Sequence, residues 1–283
     1  DANIDFLLTL EDYPLTFNTN VKMVFIDQLE TAIKDTHSIS LLLPNGNDLC
    51  YLVYTSGSTG KPKGVQIHHL GFYNTIVSLS DFLNIQANDN CLQCASFNFD
   101  AALSEIGTAL VSGAKLTIAN SETRVNPSAL YKFILDHKIH VALITPVMLE
   151  CFAQHPIHSM KTLVVAGDTC AQHTMDYWAQ QTHFINAYGP SEMSICATMK
   201  KVTPGTAHNN IGKAIHNTQT YVLDPHLNPT TTNVPGELYL SGVGQSTGYL
   251  NKIEKTIDSF IPNPFSNNPN DKLYKTGDRV CWN

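Results

Sequence analysis

The chain has 283 residues, of which 43% are hydrophobic and 14% are charged, a composition typical of a folded protein with one large or two ordinary domains. Its formal net charge is −7 and it contains no basic run, so a nucleic-acid backbone or an anionic membrane would be repelled on average. These properties favour a small molecule as the binding partner and argue against nucleic acid and membrane.

Short β-like runs alternate with helical stretches through the first two thirds of the chain. The predicted strands are MVFI (23–26), CYLVY (50–54), CLQCASF (91–97), KLTIA (115–119), HVALI (140–144), KTLVVAG (161–167) and HFINAYG (183–189). The predicted helices lie near 68–82, at 101–112, from Asn126-Pro127, after Pro146 and near 171–180. This alternation predicts an α/β fold with βαβ units and a mostly parallel sheet flanked by helices.

The sequence pattern changes at about residue 203, from alternating strands and helices to short strands with turn-rich connectors. Turn-rich connectors such as PHLNPTTTNVPG and IPNPFSNNPND surround two strand candidates, TYVLD (220–224) and GELYLSG (236–242). We therefore expect an α/β core over residues 1–202 and a β-rich subdomain, with antiparallel pairing, over residues 203–283.

The stretch YTSGSTGKPKG (54–64) combines glycines, hydroxyl side chains and two lysines directly after an apolar run. This chemistry suits a phosphate, because glycine lets backbone N–H groups approach an anion closely. It is not a Walker A loop, since Pro62 follows Gly60-Lys61, and GVGQSTG (242–248) misses the Rossmann spacing. A flexible surface loop is the alternative. The loop and residues 186–192 both follow predicted strands, so we expect both at the carboxyl ends of strands, where ligands bind in parallel sheets.

The seven cysteines are an odd number scattered along the chain, which predicts reduced thiols rather than a disulfide framework. Cys91 and Cys94 form a CxxC without a second pair at metal-binding spacing, so we expect them on a strand that enters the core. The sequence shows neither an apolar run of bilayer length nor a basic leader. We expect a cytoplasmic chain.

Four further stretches join the glycine-rich loop, in this order: FNFDAALSEI (97–106), NAYGPSEMSICA (186–197), GELYLSGVGQSTGYLN (236–251) and YKTGD (274–278). Together they resemble the core motifs of the adenylate-forming enzymes, and specifically the amino-acid-activating adenylation domains of nonribosomal peptide synthetases. The resemblance covers essentially the whole chain. It implies the large-domain fold of that family, truncated before the small C-terminal domain that carries a bridging lysine, so the chain alone is expected to be poorly active.

The resemblance implies a site for ATP and Mg²⁺. The loop would contact the β- and γ-phosphates, Tyr188 would lie against adenine, and Asp278 would accept hydrogen bonds from the ribose hydroxyls. The implied catalytic residues are Thr55, Lys63, Ser191 and Glu192, with Glu192 on Mg²⁺. The implied nucleotide-binding residues are Thr55, Ser56, Gly57, Ser58, Thr59, Gly60, Lys63, Gly167, Asn186, Ala187, Tyr188, Gly189, Ser191 and Asp278.

The resemblance also implies an amino-acid pocket, in which Asp100 pairs with the α-ammonium. The implied pocket residues are Asp100, Ala101, Ser104, Leu143, Val164, Ala166, Ala187, Ile195 and Cys196. Since the other eight residues carry no second charge, a charged substrate side chain would enter unpaired. Several pocket residues are small, so we expect a deep pocket for a large apolar or aromatic amino acid, in the order tyrosine, phenylalanine, then tryptophan or leucine.

The implied reaction joins the substrate carboxylate to the α-phosphate of ATP, and the acyl group then moves to the phosphopantetheine thiol of a carrier-protein domain. Neighbouring synthetase domains in a longer chain are the other expected partners. An acyl- or aryl-CoA ligase of the same superfamily is one alternative, although acids without an amine have no use for a buried Asp100. A non-catalytic remnant that binds nucleotide is the other.

Overall fold

The computed structural model describes residues 2–13, 21–32, 43–56, 60–152 and 155–283. The chain divides into two compact units, residues 1–45 and residues 46–283. In the first unit, β1 (Phe6–Thr9) and β2 (Lys22–Phe25) pair in parallel, and α1 (Ile26–Ala32) follows. The strand predicted at 23–26 is therefore confirmed. The expected boundary at 202/203 lies within the second unit and stays a prediction.

The second unit is built around a seven-stranded sheet. Its strands are β5 (Asn90–Gln93), β6 (Lys115–Ile118), β7 (Val141–Leu143), β8 (Thr162–Val165), β9 (His183–Tyr188), β10 (Thr198–Lys201) and β11 (Lys213–Ala214). They lie in the order β11-β10-β9-β8-β7-β5-β6. The five strands from β5 to β9 pair in parallel and the last two are antiparallel, which confirms the mostly parallel sheet.

Helices connect these strands as the alternation predicts. They are α2 (His69–Leu83), α3 (Ala101–Val111), α4 (Ser121–Val125), α5 (Pro127–Asp136), α6 (Pro146–Glu150) and α7 (Gln172–Gln181), and a short 3-10 helix covers Ser191–Met193. The helix starts follow local chemistry. The Nδ1 of His68 accepts the Gly71 N–H at the start of α2, and Asn126 caps α5 with Pro127 in its first turn.

Both faces of the parallel sheet are covered, and β8 shows how. Leu163 and Val165 pack into one cluster with Trp178, whereas Val164, on the opposite face, packs with Leu79. All four residues of β8 are buried. A parallel strand with helices on both faces is expected to be apolar throughout, and this is why the KTLVVAG run is continuous rather than alternating.

The part of the chain after residue 203 pairs its strands antiparallel, as predicted, although β11 belongs to the seven-stranded sheet. The four-stranded sheet of this region has the order β12-β13-β16-β15 and consists of β12 (Thr218–Leu223), β13 (Gly236–Gly242), β15 (Phe260–Pro262) and β16 (Lys272–Val280), with α8 (Ile253–Ser259) before β15.

The strand after residue 48 corrects the sequence analysis. β3 (Leu49–Thr55) pairs antiparallel with β4 (Lys63–His68), and with β14 (Gly248–Tyr249) they form a separate three-stranded sheet. The glycine-rich loop is therefore a hairpin connection and does not follow a strand of the parallel sheet. The physical reason is the short connection between β3 and β4, because two parallel strands need a connection of a dozen or more residues. β4 itself was not predicted, although the buried Val65 and Ile67 alternate with the more exposed Gln66 and His68.

Candidate active site

A cavity of about 810 Å³ opens at the carboxyl ends of the parallel strands. All nine residues expected to form the amino-acid pocket line it: Asp100, Ala101, Ser104, Leu143, Val164, Ala166, Ala187, Ile195 and Cys196. Five of the expected nucleotide residues also line it, namely Gly167, Ala187, Tyr188, Gly189 and Ser191. The structure thus brings together residues spread from 100 to 196 of the sequence, because neighbouring parallel strands end at one edge of the sheet.

Asp100 precedes the first turn of α3, but its side chain makes no capping hydrogen bond there. Its Oδ2 atom is buried and has no hydrogen-bond partner in the part of the chain that the structure describes. Burial raises the pKa of the Asp100 carboxyl, while the Ser191 hydroxyl and the Ala101 N–H act in the opposite direction. An unpaired buried carboxylate oxygen is unfavourable, so this atom is suited to a cation supplied by a ligand.

The cavity also has charged residues in its lining that the sequence analysis did not place there. Glu105, Arg124 and Asp168 all line it, which corrects the expectation that Asp100 is the one charge at the pocket. Glu105 follows Ser104 on α3, Arg124 lies on α4 and Asp168 follows β8. None of these three positions is among the nine inferred by resemblance.

Glu105 is held by several donors at once. Its carboxylate accepts the Ala95 N–H at 3.0 Å, the Cys94 N–H at 3.2 Å and the Gln93 side-chain amide at 3.0 Å. Burial raises the pKa of Glu105 to about 7, although these donors oppose the rise. The hydrogen bonds tie α3 to the turn after β5, and so they fix the segment from which Asp100 projects. Cys91 lies buried in β5, as expected, and Cys94 lies just beyond the strand.

The turn between β9 and β10 packs unusually closely. A Cβ on Gly189 would lie 2.5 Å from the Cys196 Cα and 2.5 Å from the Ile195 carbonyl oxygen, so no larger residue fits without backbone movement. Ile195 itself has φ of 79°, a conformation that is rare for a β-branched residue. Strain of this kind persists where surrounding contacts enforce it and is common at ligand sites.

Tyr188 and Asp278 meet although they are 90 residues apart. The Tyr188 hydroxyl donates to Asp278 Oδ2 at 2.5 Å, and the Asp278 N–H is held by the Thr276 hydroxyl at 3.0 Å. The two residues that resemblance assigns to adenine and ribose therefore lie side by side, from β9 and β16. Burial and the Asp278 charge raise the pKa of Tyr188.

The hairpin loop is described only in part, and the expected phosphate contacts Gly57, Ser58 and Thr59 lie outside the described residues. Ser56 is exposed, and Gly60 has φ of 78°. The Thr55 hydroxyl oxygen is buried and has no hydrogen-bond partner among the residues that are described. An orphaned hydroxyl beside a glycine-rich loop is consistent with a ligand oxygen as its partner.

Lys63 and Glu192 form an ion pair. The Lys63 Nζ lies 2.5 Å from Glu192 Oε1, and the two side chains are 15% and 4% exposed. Burial lowers the pKa of the Lys63 ammonium, but the hydrogen bond and charge of Glu192 outweigh it and leave the pKa above its usual value. Tyr249 contacts both charges, with its hydroxyl 2.8 Å from Glu192 Oε1 and 3.1 Å from Lys63 Nζ. The sequence predicted no role for Tyr249.

Seven of the expected nucleotide and catalytic residues lie outside the cavity lining: Thr55, Ser56, Gly60, Lys63, Asn186, Glu192 and Asp278. The Asn186 side chain donates to the Asn210 carbonyl at 3.0 Å. Among the described residues no group of three or more His, Cys, Asp or Glu could hold a metal ion. Glu192 nevertheless fits Mg²⁺, which is commonly bound by one or two carboxylates together with substrate phosphates.

The sequence profile of the family described as AMP-binding enzyme matches residues 17–250. Bacitracin synthase 3 of Bacillus licheniformis is 35% identical over 286 residues, which is 100% of this chain and 4% of that protein. Gramicidin S synthase 1 of Brevibacillus brevis is 36% identical over 256 residues, 89% of this chain and 23% of that protein. The chain therefore spans a small part of the curated relatives that it matches.

Solved structures show the same fold. A four-domain nonribosomal peptide synthetase bound to AMP and glycine superposes with a TM-score of 0.85 at 25% identity, over 100% of this chain and 21% of that one. The N-terminal subdomain of Klebsiella oxytoca NpsA, in complex with 3-hydroxybenzoyl-AMSN, gives a TM-score of 0.84 at 24% identity, over 99% and 72% of the two chains. No helix in the described ranges is long and apolar enough to cross a membrane.

Proposed function

Since the chain belongs to the AMP-binding enzyme family, we propose that it activates an amino acid with ATP, giving an aminoacyl-adenylate and pyrophosphate. The observation that carries this proposal is the buried, unpartnered Asp100 Oδ2 in a cavity whose lining also includes Ser191. The carboxylate is suited to the α-ammonium of the substrate. Burial raises the pKa of Asp100, and a hydrogen bond from the Ser191 hydroxyl opposes this rise. The proposed amine contact of Asp100 and the proposed α-phosphate contact of Ser191 are therefore adjacent.

The reaction requires little chemistry from the side chains. The substrate carboxylate is already ionised at pH 7 and attacks the α-phosphorus without a general base. A bond forms between a carboxylate oxygen and phosphorus, the bond to the bridging oxygen breaks, and pyrophosphate leaves with the electron pair. Positioning and stabilisation of charge then account for catalysis. A magnesium ion held by Glu192 would supply charge neutralisation at the phosphates.

The nucleotide is proposed to lie along the edge formed by Tyr188 and Asp278. The Asp278 carboxylate offers two acceptor oxygens for the two ribose hydroxyls, and its contact with Tyr188 fixes its position. The triphosphate would then extend toward Thr55 and Lys63, since the buried Thr55 hydroxyl lacks a partner in the described part of the chain.

We propose a large apolar or aromatic amino acid as the substrate. A cavity of about 810 Å³ is larger than an amino acid requires, which leaves room for nucleotide atoms beside a bulky side chain. Leu143, Val164 and Ala166 give it apolar walls. Glu105 does not alter this preference, because its carboxylate already accepts three hydrogen bonds near 3 Å.

A second proposal concerns the fate of the adenylate. Gramicidin S synthase 1 is among the relatives, and the matching structures include a four-domain nonribosomal peptide synthetase and an artificially fused adenylation and carrier-protein didomain. We therefore expect transfer of the aminoacyl group to the phosphopantetheine thiol of a carrier-protein domain, next to further synthetase domains.

Pyrophosphate exchange tests the reaction. The chain should show ATP–pyrophosphate exchange, at the low rate expected for it, that depends on an added amino acid, with tyrosine, phenylalanine, tryptophan and leucine ahead of aspartate, lysine and glycine. Phenylpropionate, which lacks only the amine of phenylalanine, is the matched control and should be far weaker because it leaves Asp100 unpaired. Equal exchange with phenylpropionate would favour the acyl-CoA ligase alternative, and preferred turnover of aspartate, lysine or glycine would contradict the pocket assignment.

A further inference from the structure

The hydroxyl of Tyr249 lies between two charges that the proposed function uses separately. It donates to Glu192 Oε1 at 2.8 Å and accepts from Lys63 Nζ at 3.1 Å. The ammonium also lies 4.6 Å from the centroid of the Tyr249 ring, within the range of a cation–π contact. Glu192 Oε1 therefore accepts hydrogen bonds from both Lys63 and Tyr249, and Lys63 also donates to the Tyr249 hydroxyl.

The backbone fixes this hydroxyl. β14 pairs antiparallel with β4, and Tyr249 lies opposite Val65. Since Lys63 is the first residue of β4, Tyr249 lies close to it in the sheet. The Tyr249 N–H donates to the Thr256 hydroxyl of α8 at 3.0 Å, and its ring meets Phe260 edge-on at 5.7 Å. Tyr249 is 4% exposed. A phenol anchored at both its backbone and its ring has little freedom to move away from the charges.

We propose that Tyr249 is a positioning residue that hydrogen-bonds to both the Glu192 carboxylate and the Lys63 ammonium, and thereby sets the affinity for magnesium-bound triphosphate. This inference rests on the proposed function. A phosphate anion attracts Lys63 and a divalent cation attracts Glu192, so ligand binding pulls the ion pair apart. A hydroxyl can donate to the carboxylate and accept from the ammonium at once, so both groups keep a fixed partner when they separate.

A purely structural role is the competing explanation. In that case the hydroxyl would only stabilise the three-stranded sheet, and its removal would lower the stability without any preference among ligands. The two explanations differ in selectivity, because a positioning role affects ligands that carry phosphates and magnesium but leaves adenosine unaffected.

The test is Tyr249→Phe, which keeps the ring and removes the hydroxyl. Calorimetry on the 283-residue chain should show binding of MgATP weakened by about tenfold, because a hydrogen bond to a charged group is lost. Binding of adenosine should be unchanged, and the magnesium concentration needed for half-maximal ATP binding should rise. Tyr239→Phe is a matched control, since Tyr239 is also a buried residue whose hydroxyl donates to a glutamate, Glu237, at 3.0 Å. It should change neither the MgATP affinity nor the adenosine affinity.

Thr256→Val provides a second variant, because it removes the hydroxyl that accepts the Tyr249 N–H and retains the phenol. Thr256→Val should weaken MgATP binding less than Tyr249→Phe does and should leave adenosine binding unchanged. If Tyr249→Phe does not fold, the result for Thr256→Val distinguishes the positioning role from the structural role. Unchanged MgATP binding, or an equal loss for MgATP and adenosine, would overturn the positioning role. Failure of the wild-type chain to bind either ligand would instead overturn the proposed function, and the inference with it.

Discussion

Asp100 and Glu192 both carry a carboxylate at the candidate site, but their surroundings differ. Glu192 is buried, whereas Asp100 is half-buried with a buried Oδ2 atom. Asp100 Oδ2 has no hydrogen-bond partner in the described part of the chain. Glu192 Oε1 accepts from Lys63 at 2.5 Å and from Tyr249 at 2.8 Å. Asp100 lines the cavity, whereas Glu192 lies outside its lining, in the 3-10 helix that follows β9.

The difference indicates that the Asp100 and Glu192 carboxylates are stabilised differently before a ligand binds. An unpaired buried carboxylate destabilises the fold until a cation arrives, which favours a ligand that carries its own positive charge. A paired carboxylate costs the fold little, but a ligand must displace its partner. We therefore expect Asp100 to select the substrate and Glu192 to respond to metal and phosphate.

Replacement of Asp100 should have the largest effect. Asp100→Asn should weaken amino-acid binding by about 3 kcal/mol or more, over 100-fold, because the ammonium loses its charged partner in a buried site. Calorimetry with an aminoacyl sulfamoyl adenosine, a stable adenylate mimic, measures this loss. Asp81→Asn, at an exposed position of α2, is the control.

The same variant should not lose stability at pH 7. The folded-state pKa of Asp100 is raised, so the ionised group reduces stability as the pH rises from the ordinary Asp range through the folded pKa. Urea unfolding at pH 7 should show an equal or higher free energy for Asp100→Asn. A clear loss of stability together with unchanged ligand binding would mean that Asp100 is structural.

Glu105 shows a third arrangement, a buried carboxylate satisfied mainly by backbone N–H groups. Its folded pKa of about 7 lies above the ordinary value of 4.5, so the wild-type protein should lose roughly 2 to 3 kcal/mol of stability between pH 4.5 and pH 8 through this group. Glu105→Gln should flatten that part of the profile. Glu122→Gln, at an exposed position of α4, should leave the profile unchanged, and identical profiles for wild type and Glu105→Gln would refute the assignment.

Asp278 extends the comparison to an exposed carboxylate. Asp278→Ala should weaken AMP binding by about 1 to 3 kcal/mol, because charge-assisted hydrogen bonds to the ribose are lost. Tyr188→Phe should weaken it less, since the carboxylate remains and loses only the hydroxyl contact. Calorimetric titration with AMP measures both, and normal binding by Asp278→Ala would remove this residue from the site.

Asp89 is a buried carboxylate at the amino ends of the parallel strands, opposite the carboxyl ends where the cavity lies. Lys161 Nζ lies 2.5 Å and His140 Nδ1 3.2 Å from its Oδ1. Lys161→Met should lower the free energy of unfolding by about 1 to 2 kcal/mol, because a buried charge loses a partner, while nucleotide affinity stays normal. A selective effect on ligand binding would contradict the distinction between structural and ligand-binding carboxylates.

Much of the site was predictable because its residues lie in motifs at strand ends. The alternation of apolar runs and helical stretches predicted the parallel sheet, and all nine pocket residues inferred by resemblance line one cavity. The strand at 50–54 was predicted but β4 was not, so the glycine-rich loop was wrongly placed at the end of a parallel strand instead of in the hairpin β3–β4. Glu105 and Arg124 were missed as lining residues because no local pattern distinguishes a helix residue that faces a cavity from one that faces the core.

The sequence alone predicted the strands and helices of the parallel sheet, the ligand-binding edge after β9, and the set of side chains with the right chemistry. Periodicity and turn residues act over a few positions, so they specify local structure directly. Only the tertiary structure decided which charges meet. Lys63 is 129 residues from Glu192 and 186 residues from Tyr249, and Glu192 is 57 residues from Tyr249. They come together because long-range strand pairing joins β14 to β4 and places both beside the turn after β9.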